Sequence, residues 1–597
     1  SLTDDERQDG WRGLPSVVDE IRALGRRAHG VYVDVSNFGE VKRMVGEVVA
    51  ALGRIDIQVN NAAYPRTRDR VPVQELDDDL WRRIVEVNLN GAMFCSKYAA
   101  AQMLKQGQGG SIITLDADPS RSLILNFGNI AAITAGGSLI VRGDNLGAAS
   151  GAGVANLFAQ SIVNFIGGAT GDGSNTISIR NDIIASANMT DAIGTAGFAD
   201  SANFATYSSI GGLRALTAAE LAPGLFRAVA TSSNVATTGA VTFGTAQVNS
   251  LTLTGSSSLT AIGNASFLTL GASAILVKNA SGADFSGGTV GAGGAQLYIH
   301  QLDTANMFTF GSYAQFSNSF VKAGPGAMEF TKAQFFFNSG NPTTINDGLL
   351  KLNSAQDNTL PVFITNTGVA INNVAVNGGS LDLFGKNQAV GTLLSQSVLA
   401  GTGGTITNSS ATAVTLTAVS AGNSTFAGVI ENGTGVMNFT RSGNNTTTLT
   451  SSNTYTGATI IRGGGLTLRD LGQLSATSSV TNYFGTLTLD DTGLYTVSSR
   501  VASGISMQGG TLTYLGVQGG ATVGDVTLLG GTNSGGANTI TVTPATGTVL
   551  PSTLTIASLV RSTSGTTINF TGNNPGLGGT NNSQIIITAA PTLSNSL

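Results

Sequence analysis

A change of chemistry near Leu115 constrains this chain more than any other feature: a charged, helix-patterned segment gives way to one rich in Gly, Ser, Thr and Asn and nearly free of charge. Residues 1–116 hold 15 of the 30 Lys and Arg, 17 of the 35 Asp and Glu, both Trp and the single Cys. The residues that follow hold 69 of the 80 Gly. An amphipathic charged pattern and an uncharged glycine-rich one call for different architectures, so two unrelated parts joined end to end are expected, and their functions are argued separately.

Composition narrows the classes of partner. A net charge of −5 and a pI near 5.2 provide no basic excess, which argues against a nucleic-acid partner or a general affinity for anionic membrane. One cysteine, Cys95, excludes an intrachain disulfide framework, and two histidines as far apart as His29 and His300 form no metal-ligand motif. No apolar run approaches the roughly 18 to 20 residues that span a bilayer, so no transmembrane segment is expected. The opening SLTDDERQDG is too acidic for a signal peptide, so if any part is exported the export signal is expected to be missing from this sequence.

In the first 115 residues, Val31, Val33 and Val35 alternate as a buried strand does, and Asn37 and Glu40 stand at capping-box spacing. Val41, Met44, Val45, Val48, Val49 and Leu52 then recur at helical spacing up to Gly53, placed where a helix-ending glycine belongs. Ile55, Ile57 and Val59 predict a second strand. Asp77 predicts the start of a long helix with the stripe Leu80, Ile84, Val87, Gly91, Phe94 and Tyr98, and Ser111 to Leu115 predict a third strand. Alternating strand and helix indicate a parallel α/β sheet.

Three motifs in order carry a resemblance: VDVSN with Asp34, NNAA from Asn60 to Ala63, and VNLNG with Asn88. The segment resembles the middle of a short-chain dehydrogenase/reductase. The resemblance implies a Rossmann-like fold, NAD(P) as cofactor, cofactor contacts from Asp34, Asn60, Asn61 and Ala62, and Asn88 as the asparagine of the catalytic tetrad. Departures weigh against activity. Ala63 replaces the motif glycine, and no TGxxxGxG turn stands ahead of the Val31 strand. Asp116, Ala117 and Asp118 stand where serines are expected, and Tyr98 has Gln102 rather than Lys four residues on. That glycine-rich turn supplies the backbone N–H groups that hold a pyrophosphate, and hydride transfer in this family depends on a Ser and a Tyr–Lys pair. These residues are therefore expected to be inactive remnants with no cofactor. Locally, Asn88 reads as a buried Asn bonded to nearby backbone and Asp34 as a turn residue at a strand end.

The implied strand order separates Val31–Val35 from Ile55–Val59 by two strands that this segment does not supply, which predicts an orphaned strand. Ile55–Val59 and Ser111–Leu115 are expected to pair.

Beyond the seam, short alternating strands follow turn signals: SLTL at 250, LLKL at 349, SLDL at 380, GLTL at 465, TLTL at 486 and TLTY at 511. Leu466, Leu487 and Leu512 recur at coil-length intervals, and TTINDGLLKL (343–352) aligns with TIIRGGGLTL (459–468). The expected class is mostly β, a right-handed parallel β-helix of about twenty coils and on the order of 95 Å, preceded by the incomplete α/β fragment. The stretch 426–495, with NTYTGATIIRGGGLTL at its centre, resembles the autotransporter-associated β-strand repeat. SLIVRGDNLG (138–147) and FATYSSIGGLRALTAAE (204–220) resemble passenger regions that accompany it. The expected division is residues 1–115, the dehydrogenase-like fragment; 116–235, an N-terminal passenger β-helix region; and 236–597, the repeat-bearing β-helix. The resemblance implies a secreted or cell-surface location in a Gram-negative bacterium, whereas the dehydrogenase-like part would be cytoplasmic.

Remaining motifs read as structure. RGD at Arg142–Asp144 fits a chance turn after a strand, and GDGSN at 171–175 lacks the repeated Asp of a calcium loop. Asp490 and Asp491 are adjacent, so in a strand they face opposite ways and do not act as a pair. The expected function is a non-catalytic structural or adhesive passenger, its partner a surface ligand or glycan, fused to an inactive dehydrogenase fragment in a possible chimera. The alternatives are an NAD(P)-dependent oxidoreductase represented by its middle portion and a glycan-binding or glycan-processing β-helix.

Overall fold

A computed structural model describes residues 13–589 except 24–27, 54, 56–57, 61, 63, 65–72, 76, 107–111, 116–120, 128–135, 160–172, 225–229, 279–281, 294–295, 316–319, 337–340, 366–367, 421, 517–518, 530–535, 546–550, 563–564 and 574–581. The chain separates into two compact units, Ser1–Ile112 and Ile113–Leu597.

The regular elements described in the first unit are helices. Helices α1 (Leu14–Ala23), α2 (Phe38–Leu52), α3 (Asp78–Val85) and α4 (Ala92–Gln106) form as local signals dictate. Asn37 Oδ1 accepts the N–H groups of Gly39 and Glu40 at the start of α2, and Gly53 closes it at φ 94°, which a Cβ disfavours. Asp77 caps α3 through the N–H groups of Asp79 and Leu80. Between α3 and α4 the helix widens into a π turn, Glu86–Gly91. Gly91 is buried as predicted, but the extra residue rotates the downstream face, so Cys95 and Ala99 are buried beyond it while Phe94 and Tyr98 are only half-buried.

The predicted strands do not form in this unit. Val31–Val35 is extended but joins no ladder, and the described residues of 55–59 join none either; Ile57 lies outside the described residues. A strand is stable only beside neighbours that take up its N–H and C=O groups. Without them Tyr32 and Val59 stay 71% and 72% exposed.

The third predicted strand finds a different partner. β1 (Ile112–Leu115) pairs with β3 (Leu139–Gly143), not with residues 55–59. With β2 (Ser122–Phe127), β4 (Val154–Ala159), β5 (Arg180–Ser186), β6 (Asn203–Ser208) and β7 (Gly212–Ala215), they form a seven-stranded sheet of order β1-β3-β5-β6-β7-β4-β2. Residues 116–235 are therefore not simply β-helix coils. β6–β7 pair antiparallel because the short turn from Ser208 to Gly212 makes a hairpin, and β5–β6 also pair antiparallel, whereas β2–β4 and β3–β5 pair parallel. One face closes over Leu115, Val141, Leu157, Ile183 and Leu213. The other packs Ile184, Phe198 and Phe204 on Ala274, Leu276 and Leu302.

From Asn234 onward the chain stacks as a solenoid of parallel strands. Each strand pairs with one a coil earlier and one a coil later, so inward residues form columns: Leu466 faces Leu487, and Leu487 faces Leu512. A second column runs Phe426, Leu449, Leu468, Leu489, Tyr514, Val542, and every member is fully buried. Burying each such side chain contributes roughly 1.5–3 kcal/mol, realised only while adjacent coils are in place. The aligned segments share one geometry. In both, a glycine in the left-handed region turns one strand into the next, Gly348 at φ 66° and Gly464 at φ 59°. A Cβ on Gly464 would lie 2.4 Å from the Asn445 carbonyl oxygen. The stack begins later than predicted, because the residues just past the seam fold as the mixed sheet. Only Val362–Thr365 and Gly368–Ile371 pair antiparallel among the described solenoid strands.

Candidate functional site

The unpaired segment Val31–Val35 forms one wall of an open cleft of about 520 Å³ in the first unit, lined by Tyr32, Val33, Asp34, Val35, Glu40, Ala62 and Val87. Local chemistry organises that wall. Asp34 Oδ1 accepts the Ser36 N–H at 3.0 Å and the Ser36 hydroxyl at 2.6 Å, an Asx turn that ends the extended segment. Arg83 reaches from α3 and donates to Asp34 Oδ2 at 2.8 Å and to the Ser36 hydroxyl at 3.0 Å. The Ser36 hydroxyl and then the Arg83 guanidinium hold the Asp34 carboxyl below its ordinary range. The Glu40 carboxylate accepts the Asp34 N–H at 2.9 Å, bonding one turn upstream of the cap it was predicted to complete.

The predicted site residues separate. Asp34 and Ala62 line the cleft. Asn60 turns to α4, where its Nδ2 donates to the Ser96 hydroxyl at 2.7 Å. Asn88 sits in the π turn beside the lining residue Val87, and its Oδ1 accepts the Tyr64 N–H at 2.7 Å; it is exposed, not buried. Asn61, Ala63 and Asp116–Asp118 lie outside the described residues. Arg83 was not legible as a site residue, because its partner is 49 positions away. Cys95 is buried, and that burial pushes its thiol pKa up, away from nucleophilic use.

Elsewhere the flagged motifs are tied into the fold. Arg142 Nη1 donates to the Asp191 carbonyl at 3.0 Å, and a Cβ on Gly143 would lie 3.0 Å from that of Ala155, so RGD is not displayed as a free loop. Gly171 and Asp172 lie outside the described residues; the Gly173 N–H that follows donates to Glu220. Asp490 lies 3.4 Å from Arg469 and Asp491 pairs with Arg500, so each carboxylate has its own cation. Among the described residues no group of three or more His, Cys, Asp or Glu could hold a metal ion, and no helix is long and apolar enough to cross a membrane.

Residues 11–121 match the family model for short chain dehydrogenases. The chain is 45% identical over 94 residues to a short chain dehydrogenase/reductase (astE) of Aspergillus oryzae, covering 16% of this chain and 35% of that protein. It is 38% identical over 100 residues to 3beta-hydroxysteroid dehydrogenase 2 of Eggerthella lenta, 17% of this chain and 38% of the relative. It is 39% identical over 103 residues to the uncharacterized oxidoreductase YohF of Escherichia coli, 17% of this chain and 40% of the relative. The chain thus spans well under half the length of these relatives. No solved structure matches. The N-terminal segment is of short-chain dehydrogenase/reductase kind.

Proteins of this kind normally use NAD(P), and the described residues fit part of such a molecule. The cleft suits a neutral ring with hydroxyl or amine donors facing Asp34. It does not suit the phosphates, because Glu40 and Asp34 put two carboxylates in its wall. The helix-start N–H groups of Gly39, Glu40, Asp79 and Leu80 are occupied by the Asn37 and Asp77 side chains.

Proposed function

We propose that the protein works as a non-catalytic scaffold: a right-handed parallel β-helical passenger with autotransporter-associated repeats, exposed at the surface of a Gram-negative cell or released from it, and joined to a dehydrogenase-like segment that has lost its chemistry. The observation that carries this reading is the unbroken outward column Thr425, Thr448, Thr467, Thr488, Thr513, Thr541, Thr571, lying over the aliphatic interior columns. It presents hydroxyl and methyl groups about 4.8 Å apart with no ionisable group in the row, a surface suited to adhesion to neutral glycans rather than to acid–base catalysis. Antibody against the solenoid should label intact producing cells or their medium. Labelling confined to the cytosol would overturn this reading.

For the first unit we propose no saturable binding of NAD(H) or NADP(H) below millimolar concentration, supported by the carboxylate-lined cleft and the capped helix starts. Calorimetric titration showing micromolar binding would instead support the oxidoreductase alternative, which the family match of residues 11–121 favours.

A further inference from the structure

The mixed sheet lies against the outer flank of the first solenoid coils. Ala274 and Leu276, together with Tyr298 and His300 on the next coil, point away from the solenoid interior, whereas their neighbours Ile275, Leu297 and Ile299 belong to its core. Polar bonds cross the contact as well as apolar packing. Asn181 Nδ2 donates to the Ala272 carbonyl at 2.9 Å, Lys278 Nζ to the Ala202 carbonyl at 2.8 Å and Thr304 Oγ1 to the Gly194 carbonyl at 2.7 Å.

His300 occupies the middle of this contact, 2% exposed. Its Nε2 lies 2.8 Å from the Asn181 carbonyl oxygen on β5. A carbonyl only accepts, so Nε2 carries the hydrogen of the neutral ring. The ring stacks on Tyr298 of its own strand at 6.1 Å and meets Phe204 of β6 edge-on at 6.0 Å. The charged groups near it come from β5 and from the next coil. From β5, Asp182 is paired to Arg180 at 2.6 Å. From the previous coil comes Leu276, and from the next Ala323, beside the interior Lys322. Lys322 Nζ donates to the carbonyls of Ala323, Gly324 and Asp347. A second positive charge would thus enter a site where the nearby carboxylate is already committed and a lysine lies close by.

We infer that the contact between the mixed sheet and the solenoid flank is an acid-sensitive joint, and that protonation of His300 opens it. Burial first, opposed by the Asn181 carbonyl and Asp182 and assisted by Lys322, pushes the His300 pKa down to about 4. The sign follows. Closed, the ring is held neutral; opened, it protonates near its ordinary value of about 6.5, so closure weakens as pH falls from there and the full effect is reached below about 4. The closed state is disfavoured by roughly 300-fold across that interval.

The full chain contains only two histidines, which makes the test direct. Histidine-selective NMR should show the His300 ring titrating near pH 4, together with loss of amide-exchange protection in Asn203–Ser208 once exchange is corrected for pH. In His300→Gln that protection should persist between pH 6.5 and 4.5, where the parent chain begins to lose it. A His300 ring titrating near 6.5 in the closed protein would overturn the inference in the unmodified chain, even if the variant fails to fold. Equal loss of protection in the parent and His300→Gln would overturn it as well.

Discussion

Arg500 donates from Nε and Nη2 to Asp491 Oδ1, at 3.0 and 2.5 Å, inside the solenoid where both side chains are buried. The remaining Arg500 donors reach the carbonyls of Asp470, Gly472 and Asp490, and Tyr514 donates to Asp491 Oδ2 at 3.2 Å. Removing one partner leaves the other charged and desolvated. Arg500→Met should therefore cost about 3–5 kcal/mol in denaturant unfolding, and Arg500→Met with Asp491→Leu should cost clearly less. A double variant no more stable than the single one would show that the carbonyl contacts, not the pair, carry the effect.

The coil register gives a second comparison within one strand. Leu487 is fully buried between Leu466 and Leu512, and Thr488 faces outward between Thr467 and Thr513. Leu487→Asp should destabilise the C-terminal coils by several kcal/mol, with damage spreading to neighbouring coils, because an unpaired charge enters the core. Thr488→Asp should cost under about 1 kcal/mol. Chemical denaturation followed by circular dichroism separates the two.

Acid should weaken the mixed sheet through Glu220. Burial raises its pKa, but two bonds from Arg214 and the N–H groups of Thr217 and Gly173 outweigh that and bring it down to about 2. The carboxylate is favoured in the folded state, so its contribution is complete above the ordinary value of 4.5 and is lost as pH falls toward 2. A loss of about 3 kcal/mol is expected across that window and should be absent in Glu220→Gln, which starts from a lower stability. Thermal melts at stepped pH provide the measurement.

Gly91 tests the packing of the first unit. A Cβ there would lie 2.7 Å from Val35 Cγ2 and 3.3 Å from the Val35 carbonyl oxygen. Gly91→Ala should destabilise this unit by about 1–3 kcal/mol despite the better helix propensity of alanine, and Val35→Ala in the same chain should restore part of it. Parent-like stability of Gly91→Ala would mean the close approach is not kept in solution.

The two units should differ in resistance to protease. The core of the first rests on Val45, Ile55 and Ala99, whereas the second holds continuous columns. Limited digestion should remove the first unit before the second. Mass spectrometry should find the resistant product beginning close to Ile112, because Leu115 is built into the sheet core. A resistant N-terminal product would contradict the assignment.

Much of this was legible in local pattern. Asn37, Gly53 and Asp77 marked helix ends through bonds to groups within a few residues, which any context permits. TLTL and TLTY located interior leucines because a strand alternates its faces with period two. In the site, Asp34 and Ala62 were identified by motif, but Arg83 and Glu40 join Asp34 through contacts that spacing does not specify. Lys322, Arg441 and Arg500 resist sequence reading more completely. Charged residues ordinarily mark a surface, yet all three are fully buried, and Arg441 stands in an interior column between Ala418 and Ile461.

The sequence by itself determined which stretches are extended, which are helical, where the chain changes character and which face of each solenoid strand is apolar, because these depend on neighbours along the chain. Tertiary structure alone decided which extended stretches became strands. Val31–Val35 and Ile112–Leu115 read alike, but only the second meets a partner edge, β3, that takes up its backbone bonds. Tertiary structure likewise decided where the buried cations rest, since the carbonyls that hold Lys322 and Arg500 converge only when successive coils are stacked.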